Sequence, residues 1–158
     1  QHIPILYALA NQCEHVTEFG VRHGTSSTAF LHSNARVTSY DIIITSEARK
    51  LFDLAIANGK IAELIEHDTL TIENFKYTDL LFIDTLHTYA HCIQELNLYH
   101  SYVGKFIVLH DTVLFGEVGE DHTPGLMHAV REFLSNHSEW ELSITFANNN
   151  GLTILSRK

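Results

Sequence analysis

The sequence predicts a doubly wound α/β fold, with a mostly parallel seven-stranded sheet that closes on a C-terminal antiparallel hairpin. Three observations predict it. Strand-like runs alternate with helical runs along most of the 158 residues, a pattern that gives parallel strands joined by right-handed crossovers. Asp79-Leu80-Leu81-Phe82-Ile83-Asp84 is apolar between its two acids, as suits a central strand covered on both faces. The runs on either side of Asn148-Asn149-Asn150 carry the one hairpin signal in the chain.

Each element follows from local chemistry. Residues 3–10 read as a short helix with Pro4 in its first turn. Residues 15–20 form the first strand, and 25–33 a helix whose Thr25, Ser26 and Ser27 are N-cap candidates. A second strand at 36–41 ends on Asp41, and Ser46 is expected to cap a helix that stops near Asn58-Gly59. Strands follow at 60–66, 79–84 and 105–111, with a helix at 88–100 before the last of these. A helix at 124–136 and strands at 140–146 and 151–156 complete one domain spanning residues 1–158.

The stretch Val16 to Ser27 organises the rest. Gly20 and Gly24 remove side chains where a ligand approaches the backbone, and the following helix start offers free N–H groups. The spacing is not the G-x-G-x-x-G of dinucleotide folds. Glu18, two residues before the first glycine, would repel a pyrophosphate. It suits a ligand with an ammonium and a sulfonium beside one carboxylate, which describes S-adenosylmethionine; the rival reading is a tight βα turn and nothing more.

In doubly wound sheets ligands sit outside the carboxyl ends of the strands. Those ends carry Glu18/Gly20, Asp41, Asp68, Asp84 and His110/Asp111, an acid at each of five. Ten basic against nineteen acidic residues give a net charge of −9, which argues against nucleic acid. No apolar run reaches membrane-span length, so no membrane partner is expected. Cys13 and Cys92 stand far apart without a C-x-x-C, the usage of a reduced, cytoplasmic protein. Gln1 at the start reads as a processed or trimmed terminus.

Glu18-Phe19-Gly20-Val21-Arg22-His23-Gly24-Thr25-Ser26, the strand ending in Asp41, Asp79 through Tyr89, and Gly104 through Thr112 together resemble a class I S-adenosylmethionine-dependent methyltransferase. The nearest branch is the small group related to CmcI-like cephalosporin-biosynthesis and macrolide sugar O-methyltransferases. The resemblance runs from Val16 to Ser156 and implies a Rossmann-like methyltransferase fold. It implies that Glu18, Gly20, Gly24 and Ser26 line the methionine end of the cofactor, that Asp41 accepts the ribose hydroxyls, and that Asp68 lies near the adenine. Asp68 as the cap of the following turn is an equal alternative.

The resemblance also makes Asp84 and Asp111 ligands of a divalent metal, Mg²⁺ or Mn²⁺, with Asp84 at the cofactor as well. Where the relatives carry a further carboxylate or amide beside the second Asp, this chain has His110 and Thr112. The usual D-G-D-H-S-Y is Asp84-Thr85-Leu86-His87-Thr88-Tyr89 here, with one acid replaced by Leu86. An imidazole ligand from His110 tilts the preference toward Mn²⁺. His87 and His110 are the candidate bases. The expectation is an O-methyltransferase acting on a small-molecule or sugar hydroxyl, with self-association left open. The alternatives are a non-catalytic S-adenosylmethionine-binding module and a nucleotide-dependent oxidoreductase. Residues 112–123 are the one long irregular stretch and are expected to overhang the site as a lid, mobile over 116–125.

Overall fold

The computed structural model describes every residue from Gln1 to Lys158. Helices α1 (Ile3–Ala10), α2 (Thr25–His32) and α3 (Ser46–Ala57) alternate with strands β1 (His15–Phe19), β2 (Arg36–Asp41) and β3 (Ala62–Glu66). After a 3₁₀ turn at Thr69–Thr71 come β4 (Thr78–Ile83), α4 (Tyr89–Tyr99), a second 3₁₀ turn at His100–Tyr102 and β5 (Val103–His110). Helix α5 (Leu126–Asn136) leads into β6 (Trp140–Phe146) and β7 (Leu152–Arg157).

The strands form one seven-stranded sheet in the order β3-β2-β1-β4-β5-β7-β6. Strands β1 to β5 pair in parallel, and β7 runs antiparallel to both β5 and β6. The chain moves outward from β1 to β3, then returns to place β4 on the other side of β1. This reversal opens a crevice at the carboxyl ends of β1 and β4, where such sheets bind ligands.

Side chains alternate across the sheet with period two. Leu80 and Phe82 of β4 join Leu6, Phe30 and Phe52 from α1 to α3, while Leu81 and Ile83 join Leu96, Val130 and Phe133 from α4 and α5. Two apolar layers thus sandwich the sheet, and β4 is buried along its whole length. Both cysteines are buried and free. No helix is long and apolar enough to cross a membrane.

Two expected caps move. Thr45, not Ser46, caps α3 by accepting from the Ala48 N–H at 3.1 Å. Helix α2 opens on Gly24 at φ 81°, which has no side chain to cap with, and the hydroxyls of Ser26 and Ser27 go to Glu18 instead.

Candidate functional site

The turn after β1 is built around internal contacts. A Cβ on Gly20 would stand 2.0 Å from the Asp84 carbonyl oxygen, and one on Gly24 would stand 2.6 Å from the Leu51 side chain. Both glycines adopt positive φ, open to them at little cost. The protein's own packing therefore requires them, although Gly20 also borders the cleft described below.

Glu18 does not face a ligand. It is fully buried and accepts from Ser26 Oγ at 2.6 Å, Ser27 Oγ at 2.7 Å and Ser39 Oγ at 2.6 Å. The expectation that Glu18 lines the methionine end is corrected, because three hydroxyls draw the carboxyl beneath the turn. Burial lifts its pKa from 4.5 to about 7 against the pull of those hydroxyls. A raised carboxyl favours the protonated fold, so its stabilising effect is complete below pH 4.5 and is lost as pH climbs through about 7. Glu18→Gln should remove that loss, and serine hydroxyls can reverse their roles to suit the amide. Measured against the variant, the wild type should lose on the order of 3 kcal/mol between those limits. Parallel melting-temperature profiles against pH would expose the error if the two proteins kept a constant offset.

Above the turn lies a cleft of about 470 Å³ bordered by Gly20, Arg22, Asp41, Ile43, Asp68, Asp84 and Leu86, among others. Asp41 Oδ2 accepts from the Val21 and Arg22 N–H groups at 2.7 and 2.8 Å, and its Oδ1 from the Ile43 N–H at 3.1 Å. It clamps the two loops, borders the cleft and keeps spare acceptor capacity on Oδ1. Asp68 caps the 3₁₀ turn through the Leu70 N–H at 2.9 Å and also borders the cleft.

Sequence reasoning missed the group that braces this wall. Glu95 is fully buried in α4 and accepts from Thr69 Oγ1 at 2.6 Å and Thr85 Oγ1 at 2.8 Å. Its Oε1 also lies 3.1 Å from His91 Nε2, one helical turn earlier. Thr69, Thr85 and His91 all border the cleft. The available signal was the i,i+4 pair His91/Glu95 on the inner face of α4.

At the carboxyl ends of β4 and β5 the sheet brings Asp84, His110 and Asp111 together, with one donor atom from each within 4.8 Å of the other two. Asp84 and Asp111 lie on adjacent strands, as expected. Side chains 110 and 111 converge because β5 ends at His110 and Asp111 turns at φ 57°, a conformation Asp tolerates better than most residues. His110 Nδ1 stands 3.0 Å from Asp111 Oδ1 and 3.6 Å from Asp84 Oδ1. Neither His110 Nδ1 nor Asp111 Oδ1 has an aligned hydrogen bond, although both atoms are buried. Two unpartnered donor atoms, one from an imidazole and one from a carboxylate, beside a second carboxylate fit a divalent cation, whose octahedral ligands lie about 3 Å apart.

His87 is not free to act as a base. Its Nε2 lies 3.1 Å from Asp111 Oδ2 and 3.4 Å from Asp84 Oδ1, while Nδ1 lies 3.3 Å from Glu120 Oε2. Burial alone would lower its pKa, but Asp111, Asp84 and Glu120 raise it to about 10. Burial and the two aspartates act the same way on His110, with a net rise to about 9. Burial would raise both aspartates, yet the imidazoles hold Asp84 and Asp111 below the usual carboxylate range. His87 thus balances charge and orients Asp111.

The stretch expected as a mobile lid is held to the site by several contacts. The Glu120 N–H donates to the His87 carbonyl at 3.1 Å, and its carboxylate accepts from the His87 N–H at the same distance. Phe115 stacks on the His87 ring at 4.8 Å, and Val118 bridges Pro124. The composition rich in Gly and acid concealed these backbone and ring contacts. A second cavity of about 210 Å³ lies between α1 and the β1–α2 turn, bordered by His2, Ser26, Phe82, Asp84, His110 and Asn149, among others. Ser26 therefore borders this smaller cavity while its hydroxyl is turned to Glu18.

A family model described as rhamnosyl O-methyltransferase/CmcI matches residues 5–157. No curated protein matches the chain. Among solved structures, the methyltransferase PaMTH1 from Podospora anserina, bound to S-adenosylhomocysteine, is similar at a TM-score of 0.72 and 16% identity, covering 99% of this chain and 78% of that one. The magnesium protoporphyrin IX methyltransferase ChlM from Synechocystis PCC 6803 with S-adenosylmethionine gives 0.75 and 15%, over 99% and 76%. The N-methyltransferase NodS from Bradyrhizobium japonicum WM9 with S-adenosylhomocysteine gives 0.70 and 12%, over 99% and 85%. These structures share the fold.

Proposed function

The chain belongs to the rhamnosyl O-methyltransferase/CmcI family and is an S-adenosylmethionine-dependent O-methyltransferase with a small-molecule acceptor; from that premise we propose how its residues divide the work. The cofactor occupies the larger cleft, with Asp41 at the ribose hydroxyls, Asp68 toward the adenine, and Gly20 and Asp84 beside the sulfonium end. Ile42 and Leu86 border the cleft with 69% and 54% of their surface exposed, and burying them against the adenine ring gives that end its apolar contact. The acceptor, a hydroxyl of a small molecule or sugar, enters the smaller cavity. Its mixed lining of imidazoles, an amide and Phe82 suits a polar ring. One observation carries this reading: Asp84 borders both cavities, so the two compartments meet where methyl transfer must occur.

The reaction is an in-line displacement in which the acceptor oxygen attacks the methyl carbon and the sulfonium leaves as a thioether. Rate comes mainly from holding the two reactants aligned. Asp84, His110 and Asp111 would hold the divalent ion, and with it bound the site gains a Lewis acid that lowers the pKa of the acceptor hydroxyl. His110 borders the acceptor cavity; the aspartates that raise its pKa to about 9 keep it protonated at neutral pH, so without the ion it would take the acceptor's proton only above that pH. His87 positions Asp111 and fastens the lid. The whole domain, residues 1–158, works as one unit, and its free thiols suit the reducing cytoplasm. Family membership sets aside the oxidoreductase alternative.

Asp41→Ala tests the cofactor assignment. It removes a charged acceptor for two hydroxyls and unclamps the turn, so calorimetry should find S-adenosylhomocysteine bound about 1.5–3 kcal/mol more weakly, roughly 10- to 150-fold. Unchanged affinity in a variant that melts like the wild type would remove Asp41 from the site.

A further inference from the structure

A second cluster of metal-ligating side chains sits at the other end of the sheet. His100 lies in the 3₁₀ turn that precedes β5, His137 follows α5, and Glu139 precedes β6. One donor atom from each lies within 4.8 Å of the other two. His100 Nδ1 and His137 Nδ1 each stand 3.6 Å from the same atom, Glu139 Oε1. A tetrahedral ion with bonds of about 2.0–2.1 Å sets its donors roughly 3.4 Å apart. The observed separations are a few tenths of an ångström from that figure.

Two further observations point to a ligand. His100 Nδ1 is buried and has no hydrogen-bond partner, although a buried polar atom is ordinarily satisfied. The backbone carrying the other two ligands is already fixed: the His137 N–H donates to the Phe133 carbonyl at 3.0 Å, the Trp140 N–H to the His137 carbonyl at 3.1 Å, and the Lys158 N–H to the Glu139 carbonyl at 2.9 Å. Phe133 packs against both imidazoles, at 5.5 Å from His100 and 4.6 Å from His137. The nearby Arg157 guanidinium is committed elsewhere, donating to the Val103 carbonyl at 2.6 Å and lying over the Trp140 ring.

We propose that His100, His137 and Glu139 form a site for a divalent transition ion of the Zn²⁺ type, separate from the catalytic edge. Two imidazoles and one carboxylate suit Zn²⁺ and disfavour Mg²⁺. The eight residues of β5 put this site roughly 20–25 Å from His110. An ion there ties the end of α5 and the start of β6 to the turn before β5. It therefore acts on the fold and not on the transferred methyl group.

The test is Zn²⁺ binding to tag-free full chain by calorimetry, with the melting temperature read alongside. Asp111→Asn protein, its catalytic cluster weakened, should still bind one equivalent of Zn²⁺ and melt higher with it, in the presence of excess Mg²⁺. Adding His137→Gln should weaken that binding at least tenfold and abolish the rise in melting temperature. Glu139→Gln, on a more exposed side chain, is the second variant should His137→Gln fail to fold, and it should weaken binding in the same direction. Substituting Co²⁺ should give the visible spectrum of a tetrahedral ion that is lost with His137→Gln. Zn²⁺ affinity and melting response unchanged by either substitution, or no Zn²⁺ bound by Asp111→Asn protein, would overturn the proposal. Because Asp111→Asn weakens only the catalytic cluster and His137→Gln only this one, loss of a metal there and loss of a metal here are read from different variants.

Discussion

Changing Asp111 to Asn should cut methyl transfer by at least about a hundredfold while leaving the protein folded. Asn is the informative replacement, because Asp111 sits at φ 57° and Asn tolerates that left-handed conformation where Ala would add strain. The amide keeps the shape of the carboxylate and removes its charge. His110 and His87 then lose the partner that lies 3.0 and 3.1 Å from them, and the cation site loses one of its two carboxylates. Single-turnover methyl transfer from labelled cofactor to a hydroxyl acceptor gives the rate, and S-adenosylhomocysteine affinity should stay within about twofold, since Asp111 does not border the cofactor cleft. A rate within threefold of wild type would take Asp111 out of the chemistry.

Gly20→Ala should produce the largest loss of stability. The added Cβ would lie 2.0 Å from the Asp84 carbonyl oxygen and 2.7 Å from its carbon, at a backbone φ of +83°. The obstacle is backbone, and it belongs to the strand end that supplies Asp84, so relief requires β1 and β4 to part. Close overlap and positive φ together put the cost at about 4 kcal/mol or more, a large share of ordinary domain stability. The melting temperature should fall by roughly 8–16 °C, if the variant is recovered folded at all. A drop of only a degree or two would mean the turn has room that its geometry does not suggest.

The layered sheet was legible because its signals are local and redundant. The apolar run in β4, the alternation of strands with helices and the asparagine hairpin each specify part of the topology, and all seven strands fall where the pattern puts them. The acids at strand ends were legible for the same reason, since topology alone brings Asp84 and Asp111 to one edge. What escaped depends on where a side chain turns once it gets there. Glu18 ends a strand like Asp41, yet three serine hydroxyls contributed by α2 and β2 draw it inward, while Asp41 turns to loop amides at the rim. Ser26 and Ser27 looked like caps because no one-dimensional pattern shows a buried carboxyl competing for them. Glu95 was invisible until the fold set it beneath Thr69 and Thr85, residues 26 and 10 positions away in the chain. The lid looked mobile by composition, but its anchors are main-chain contacts and one stacked ring.

The most direct test of the two-compartment site is a crystal structure of the full chain with S-adenosylhomocysteine and Mn²⁺, read with the anomalous signal of the ion. S-adenosylhomocysteine should fill the larger cleft, its ribose on Asp41 and its thioether beside Asp84, with the Mn²⁺ peak among Asp84, His110 and Asp111. S-adenosylhomocysteine bound away from Asp41, or a Mn²⁺ peak absent from those three residues at full cofactor occupancy, would contradict it.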